Sequence, residues 1–347
     1  MNRYQTAPLT QALTQILETY SLSSAQAAQC IEILLDADRR GTHSHGLAVL
    51  PAYIQRIERG GFTIDGACRI LHGTQSFCVV DADNQLGMLS ASFCMQKAIT
   101  ECKKSGIYTV FCRNANTFGA ASTYVKMATD HGVIGFCTSN SPSAMPASGG
   151  TRKILGTNPF AVGIPTKQQP PIIVDMATGI VAKSKINEIR KSGGSIQEGW
   201  ALDANGNPTT DPQAAIDGMV LPMAGHKGYA IALVIDILAG LLSGAGYLDH
   251  INRFYSDTPS CMNTGQCFAA IDPALIYGEG FLEAVDDYIQ ELKRSGLDVR
   301  YPGERADASM RLCDDGSVEL TGQTADALHV LLLQHGRQDA LMLASKS

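Results

Sequence analysis

The chain has 347 residues, 45% of them hydrophobic and 17% charged, which is enough apolar material for more than one folded domain and excludes disorder. Its 27 lysines and arginines against 33 aspartates and glutamates give a net charge of -6, so nucleic acid is not an expected partner. Ten cysteines without C-x-x-C or zinc-type spacing favour reduced thiols in a cytoplasmic protein with no metal site. Because no apolar run reaches the ~20 residues that span a bilayer, no membrane contact is expected.

The first seventy residues are predicted to be entirely helical. Apolar spacing predicts helices over 9–20 and 25–40, and Ser23 with Gln26 forms a capping box for the second. A third helix starts near Pro51 and ends at Gly60.

The middle of the chain alternates between two kinds of apolar pattern. Strands are predicted at 76–81, 107–112, 133–138, 160–164 and 171–175, and helices at 89–103 and 120–130. This alternation predicts an α/β domain with a central, two-sided sheet.

The last third continues with mixed elements. The apolar stretch 229–242 is too short to span a bilayer and is expected to be a buried helix. Segment 183–207, which is rich in Ser and Gly, is expected to be mobile. A strand is predicted at 267–271 and helices at 283–293 and 324–335, the last packing on the N-terminal helices.

Familiar catalytic signatures are missing. No G-x-G-x-x-G follows a strand, and there is no P-loop and no H-E-x-x-H. Ser44 lies three residues after Gly41, so the G-x-S-x-G spacing of a nucleophile elbow fails.

Two segments combine chemistry with a favourable local structure. In Ser44-His45-Gly46, a histidine on a glycine-flanked loop can exchange a proton near neutral pH, or it can simply cap a helix. In Gly225-His226-Lys227-Gly228, a helix N-terminus with a lysine suits a phosphate group, or is an ordinary helix entry with a solvated lysine.

Three further segments are polar turns beside strands. Asp175 ends a predicted strand, where α/β proteins place ligands, although turn-forming aspartates are common. The turns 139–142 and 156–159 offer hydroxyl and amide groups and are weak signals by themselves.

Taken in order, these segments resemble the malate/L-lactate dehydrogenase family that lacks a Rossmann domain. The resemblance covers nearly the whole chain and rests on seven ordered motifs, namely Arg40-Gly41 with Ser44-His45-Gly46, Gly156-Thr157-Asn158-Pro159, Val174-Asp175-Met176-Ala177-Thr178, Gly199-Trp200-Ala201-Leu202-Asp203, Gly225-His226-Lys227-Gly228-Tyr229, Gly265-Gln266-Cys267-Phe268 with Ala270-Ile271-Asp272-Pro273, and Val299-Arg300-Tyr301-Pro302-Gly303-Glu304-Arg305.

The resemblance implies a reaction and an architecture. The reaction is the NADH- or NADPH-dependent reduction of a 2-oxo acid, or of a cyclic imine acid, to the 2-hydroxy or amino acid. The architecture is a homodimer whose subunit has a non-Rossmann α/β cofactor domain with a mixed central sheet, over 73–305. A helical domain over 1–72, completed by about 306–347, packs beside it.

The resemblance also implies roles for individual residues. The residues expected to contact the dinucleotide are Ser141, Asp175, Met176, Ala177, Thr178, His226, Lys227, Pro302, Gly303 and Glu304. His45 is the expected proton donor, with Thr117 at the second acid/base position. The expected substrate pocket consists of Ser44, Val49, Tyr53, Thr157 and Asn158.

Two positions depart from the family pattern. Val49 stands where an arginine usually grips the substrate carboxylate, and Thr117 stands where a histidine is usual, so a bidentate cation and a titratable group are both missing. The main hypothesis is therefore a dehydrogenase with an atypical substrate. A relative that performs elimination, condensation or isomerisation, and a catalytically inactive binding protein, are the alternatives. Lys185, Arg190 and Lys191 are candidates for recognising a 2′-phosphate, so the choice between NADH and NADPH stays open.

Overall fold

A computed structural model describes residues 2–344 of the chain. The strands, in chain order from β1 to β14, are Asn2–Gln5, Arg69–Gly73, Phe77–Asp81, Ile107–Ala115, Ile134–Ser139, Met145–Pro146, Lys153–Leu155, Phe160–Ile164, Ile172–Met176, Ala201–Leu202, Pro208–Thr209, Met219–Val220, Thr264–Ile271 and Ser317–Leu320. The helices, in chain order from α1 to α12, are Thr6–Glu18, Ser24–Arg39, Leu50–Glu58, Gly87–Ser105, Ala121–Asp130, Lys183–Lys191, Pro212–Asp217, His226–Ile235, Pro273–Ile276, Phe281–Arg294, Glu304–Arg311 and Gly322–Gln334.

The central sheet is mixed, as the family resemblance implies. Its seven strands lie in the order β2-β3-β4-β13-β5-β8-β9. Only β3 and β4 pair in parallel, and every other pair in this sheet is antiparallel. Helices α4 and α5 pack on the sheet, and their apolar faces share one buried cluster with Val80, Val110 and Phe268. Strand β9, which carries Asp175, is therefore an edge strand of this sheet.

A second buried cluster joins the two ends of the chain. It contains Leu13 and Ile16 of α1, Leu34 of α2, and Leu328 and Leu332 of α12. The capping box of Ser23 and Gln26 begins α2 as predicted. Helix α12 packs on the N-terminal helices, so this prediction is also confirmed.

Strand β1 corrects the all-helical prediction for the first seventy residues. Asn2–Gln5 pairs with Ser317–Leu320 in an antiparallel ladder that closes the two chain ends on each other. Four polar-rich residues carry too little periodicity to be predicted as a strand.

The expectation of a buried helix over 229–242 is wrong. Helix α8 continues into a π-helical segment, Asp236–Leu241, and apolar side chains along both lie on the surface. Val234 is 51% exposed, Leu241 54% and Leu242 57%. A continuous apolar run indicates a helix that is buried in a protein interface or core. It does not indicate whether the burying surface belongs to the same chain or to another one. Within residues 2–344, no helix is both long enough and apolar enough to cross a membrane.

The π-helical segment itself packs on the sheet at a glycine. A Cβ atom added to Gly265 of β13 would lie 1.8 Å from the carbonyl oxygen of Ala239. Only glycine allows this approach, which places the buried Asp236 beside the end of β5. The segment thereby fixes the loop that follows β5.

Segment 183–207 is more regular than its composition indicates. It contains α6 and β10, and α6 packs against α7 around Ile186. Helix α6 has one fully buried apolar residue among many charged ones, so its helical pattern is faint in the sequence.

Candidate functional site

The loop that carries His45 is held by a buried carboxylate that the sequence reasoning missed. Asp38 of α2 is only 2% exposed, and its Oδ2 accepts a hydrogen bond of 2.7 Å from the backbone N–H of Leu47. Its Oδ1 lies 2.9 Å from Nδ1 of His43. Gly46 packs directly on this carboxylate, since a Cβ atom there would lie 2.3 Å from Cγ of Asp38. Asp38 therefore holds both sides of His45.

His45 sits in a crevice. Its side chain is accessible to solvent, yet surrounding protein lowers its pKa by desolvation, and the nearby Asp175 carboxylate opposes this effect. Ser44 Oγ lies 2.9 Å from Nδ1 of His45. When the Ser44 hydroxyl donates to Nδ1, a neutral His45 carries its proton on Nε2, which is free for a ligand.

The Thr117 loop forms a second wall beside His45. The backbone of Gly119 approaches His45, because a Cβ atom at Gly119 would lie 3.8 Å from the carbonyl oxygen of His45. Buried Asn116 fixes the loop from behind, donating 2.9 Å and 3.0 Å hydrogen bonds to Asn84 Oδ1 and the Gln85 carbonyl oxygen. This places the loop of Thr117 next to the loop of His45.

Tyr53 does not line an open pocket, which corrects its predicted role. Its side chain is 1% exposed and stacks on Phe62. Its hydroxyl donates a 3.0 Å hydrogen bond to the carbonyl oxygen of Thr117. Tyr53 therefore supports the Thr117 loop from the core. Val49 is half-buried against the core that joins the chain ends and offers only methyl groups.

The end of β9 contacts the start of α5, which follows the Thr117 loop. Asp175 Oδ2 accepts a 2.8 Å hydrogen bond from the backbone N–H of Ser122, in the first turn of α5. Asp175, Met176 and Ala177 are exposed. Thr178 is fully buried and its hydroxyl has no partner within residues 2–344, so its predicted contact with a dinucleotide is not supported by this placement.

Asn158 is a scaffold residue and not a pocket residue. It is fully buried, and its Oδ1 accepts a 3.0 Å hydrogen bond from the backbone N–H of Ser141, while its Nδ2 donates to the carbonyl oxygen of Ala232 at 2.9 Å. Its predicted role in the substrate pocket is therefore corrected. The neighbouring Thr157 is half-buried and packs against Gly179, and Ser141 is held half-exposed by the Asn158 side chain.

The start of α8 lies next to the segment that follows β9. The backbone N–H of Met223 donates a 2.9 Å hydrogen bond to the carbonyl oxygen of Thr178. Gly225 then adopts a φ of +62°, and α8 begins at His226 with no side-chain cap. His226 and Lys227 are both exposed there. The N–H groups of Gly228 and Tyr229 already donate to the carbonyl oxygens of Met223 and Gly225, so the positive helix end and the exposed lysine are what suit a pyrophosphate here.

The Pro302-Gly303-Glu304 turn packs on the beginning of β9. The carbonyl oxygen of Pro302 accepts a 3.0 Å hydrogen bond from the N–H of Ile173, and Gly303 has a φ of +99°. A Cβ atom at Gly303 would lie 2.8 Å from the Ile173 nitrogen. The Glu304 carboxylate pairs with Lys293, which lowers its pKa. The turn thus lies two residues before Asp175 along the same edge strand.

The three α6 residues considered for a 2′-phosphate are exposed and already have polar partners. Lys185 pairs with Glu188 at 2.9 Å, Arg190 donates to Gln213 at 3.0 Å and Lys191 donates to Gln323 at 3.1 Å. These contacts do not single out any one of them.

Metal-type and disulfide chemistry have no visible counterpart in the described chain. Residues 2–344 contain no cluster of three or more His, Cys, Asp and Glu side chains that could hold a metal ion. All ten cysteines are free thiols, and burial raises the pKa of several of them, including Cys30 and Cys267 to about 12.

The mostly antiparallel order of the central sheet differs from the parallel sheet of a Rossmann fold, and comparison with known proteins identifies the family. Residues 4–329 match the malate/L-lactate dehydrogenase family. The malate/(S)-sulfolactate dehydrogenase of Methanothermus fervidus is 34% identical over 317 residues, which cover 91% of this chain and 93% of that protein. The ureidoglycolate dehydrogenase (NAD(+)) of Escherichia coli is 32% identical over 86% of this chain and 87% of that protein.

A solved structure agrees with these relatives. The sulfolactate dehydrogenase from Methanocaldococcus jannaschii superposes with a TM-score of 0.89 at 30% identity, covering 97% of this chain and 99% of that one. The chain therefore belongs to the malate/L-lactate dehydrogenase family, and the resemblance found in its motifs is confirmed.

Proposed function

We propose that this protein is a cytoplasmic NADH- or NADPH-dependent oxidoreductase that interconverts a 2-oxo acid, or a cyclic imine acid, and its 2-hydroxy or amino acid. The observation that carries the proposal is the convergence of His45, the Thr117 loop and Asp175 on one crevice. Family membership supports the reaction class, since the relatives described above are named dehydrogenases.

The dinucleotide would lie along β9 and the start of α8. Its pyrophosphate would lie at the positive N-terminal end of α8, beside His226 and Lys227, where an added side chain at Gly225 would be strained by the positive φ. Asp175, Met176, Ala177 and Ser141 would contact it along the exposed edge. Pro302, Gly303 and Glu304 would hold its far end. These groups fit an extended, doubly charged ligand.

When bound, a reduced nicotinamide supplies a hydride to the carbonyl or imine carbon. His45 donates a proton from Nε2 to the carbonyl oxygen or imine nitrogen, while Ser44 fixes the orientation of its ring. The Asp175 carboxylate favours the protonated imidazole, which partly offsets the desolvation of His45. Thr117 can orient the substrate through its hydroxyl but does not titrate near neutral pH.

The exposed apolar face of α8 and the π-helical segment supports a homodimer. This face includes Leu233, Val234, Ile237, Leu241 and Leu242, and it borders an apolar cavity of about 400 Å³ lined by Leu155, Tyr229 and Tyr247. Large exposed apolar patches commonly mark protein interfaces, and in a homodimer the same face of a second copy would cover this one. We also propose that residues 1–72, with about 306–347, form a helical domain beside an α/β domain over 73–305.

The test follows the hydride itself. The protein is incubated with NADH or NADPH deuterated at carbon 4 and a panel of 2-oxo acids and cyclic imine acids. We expect deuterium at carbon 2 of the product of at least one of them. His45→Gln should abolish turnover while NADH still binds, and His131→Gln, an exposed histidine at the end of α5, serves as the matched control. Product formation without deuterium transfer, or no dinucleotide binding by calorimetry, would contradict the proposal.

A further inference from the structure

We infer that Thr123 and Asp36 are positioning residues for the proposed reaction, because their hydrogen bond fixes where His45 lies relative to the Asp175 carboxylate. The inference rests on the proposed function, since it assigns these two side chains to the geometry of that reaction. Neither side chain is expected to touch the dinucleotide or the substrate. They act through the two segments of the chain that they join.

The contact joins two helices that are distant in sequence. Asp36 lies near the end of α2, and Thr123 lies in the first turn of α5. Thr123 Oγ1 donates a hydrogen bond of 2.7 Å to Asp36 Oδ2, and Arg40 Nε donates hydrogen bonds of 2.9 Å to both oxygens of the same carboxylate. Thr123 and Arg40 are both buried. Because a hydrogen bond to a carboxylate is roughly twice as strong as a neutral one, this contact firmly connects the two helices.

On the α2 side, Asp36 belongs to the same local unit as His45. The loop that carries His45 follows α2 directly, and the backbone N–H of Thr42 in this loop donates a hydrogen bond of 2.8 Å to the carbonyl oxygen of Ala37. The backbone N–H of His45 in turn donates to the carbonyl oxygen of Thr42 at 3.0 Å. Consecutive hydrogen bonds therefore connect the end of α2 to the imidazole-bearing residue.

On the α5 side, Thr123 belongs to the same local unit as Asp175. Ser122 is the residue before Thr123, and its backbone N–H donates the 2.8 Å hydrogen bond to Asp175 Oδ2. A shift of the first turn of α5 would therefore carry this donor away from the carboxylate or move the carboxylate with it. The hydrogen bond between Thr123 and Asp36 joins this unit to the one that carries His45.

That hydrogen bond has no substitute in the part of the chain that the structure describes. Within residues 2–344, it is the only hydrogen bond between residues 24–46 and α5. Gly119, shortly before α5, also lies near the His45 loop, since a Cβ atom there would lie 3.7 Å from Cγ2 of Ile33 and 3.8 Å from the carbonyl oxygen of His45. Van der Waals contacts of this kind have little directional preference and fix a position less strictly than a hydrogen bond.

The separation matters because His45 and Asp175 interact through charge. The Asp175 carboxylate raises the pKa of His45, and this attraction weakens as the distance between the two groups grows. Asp38 and His43, the titratable groups of the adjoining α2 and of the loop itself, pair with each other at 2.9 Å, and residues 117–119 carry no charge. Loss of the contact between α2 and α5 is therefore expected to lower the pKa of His45 and to weaken it as a proton donor.

The experiment titrates the His45 imidazole by NMR in the intact protein labelled with ¹⁵N-histidine, with the His45 signal assigned by its loss in His45→Gln. Thr123→Val keeps the shape of the side chain and removes the hydroxyl. It is expected to lower the pKa of His45 by ~0.5 to 1 pH unit, a part of the effect of a nearby opposite charge. Thr123→Ser should restore the parental pKa. Thr129→Val is the matched control, because the Thr129 hydroxyl bonds the Lys126 carbonyl oxygen within α5.

Two results would overturn the inference. An unchanged pKa of His45 in Thr123→Val would show that the contact serves stability alone. Equal shifts in Thr123→Val and Thr129→Val would show a general loosening of α5 in place of a specific connection. Folding is checked by thermal unfolding, and Thr123→Ala takes the place of Thr123→Val if valine prevents folding. The titration needs neither dinucleotide nor substrate. If the pKa shifts as expected but no hydride transfer occurs, the proposed function fails while the connection of His45 to Asp175 through Thr123 stands.

Discussion

Replacing Gly46 with alanine tests how tightly the His45 loop is held. Gly46 has a φ of -92°, which alanine adopts without strain, so the added methyl group acts only through contact. That methyl group would lie 2.3 Å from Cγ of Asp38, whereas ordinary contacts begin at 3.4 Å. The loop must therefore retreat by about 1.1 Å, which stretches the 2.7 Å bond between Leu47 N–H and Asp38 beyond hydrogen-bond length.

The expected costs are separable. Overpacking should lower the free energy of unfolding by about 1–3 kcal/mol, measured by urea denaturation. Displacing His45 by about 1 Å should lower kcat by ~10²-fold, since misplacement on this scale has that effect on catalysis. NADH binding should not change, because His226 and Lys227 lie on another element. Gly322→Ala is the control, as a Cβ atom there meets no atom within 4 Å. A Gly46→Ala protein with parental kcat would refute this account of the loop.

Three other perturbations test separate parts of the structure. Because desolvation lowers the pKa of His45, the rate of reduction should fall as pH rises through that lowered pKa, and the rate of oxidation should rise. Asp175→Asn should move both pH–rate profiles to lower pH, since the Asp175 carboxylate raises the pKa of His45. Profiles that do not move would show that Asp175 does not act on His45. Arg56→Ala should lower the free energy of unfolding in urea by about 3 kcal/mol, because the buried guanidinium donates hydrogen bonds to the carbonyl oxygens of Phe254 and Asp257 at 2.9 Å and 2.8 Å. A decrease below ~1 kcal/mol would show that the loop of Phe254 and Asp257 is stable without Arg56. Leu241→Asp should turn a dimer into a monomer in light scattering without lowering thermal stability of the subunit, and an unchanged mass would place the interface elsewhere.

The sheet and its two packed helices follow from the sequence because each element carries a clear period. Strands such as 107–112 and 160–164 are β-branched or aromatic runs between turn residues, and they form β4 and β8. Strand β1 and helix α6 do not follow, because four residues or a single buried side chain give too short a pattern.

The sequence indicates which residues of the candidate site are exposed. His45, Asp175 and Lys227 lie on loops or element ends, where ligands bind, and the structure exposes all three. The residues that hold them were not predictable, since Asp38 and Asn158 act through contacts between segments distant in sequence. Tyr53 shows the same limit, because helical spacing indicates a face but not whether that face meets a ligand or the core.

The most direct measurement is a crystal structure of the protein with NADH and oxamate. The account predicts the nicotinamide ring between the His45 imidazole and the Asp175 carboxylate, with the pyrophosphate on the first turn of α8. A dinucleotide bound away from β9, or a His45 ring turned away from the nicotinamide, would contradict it.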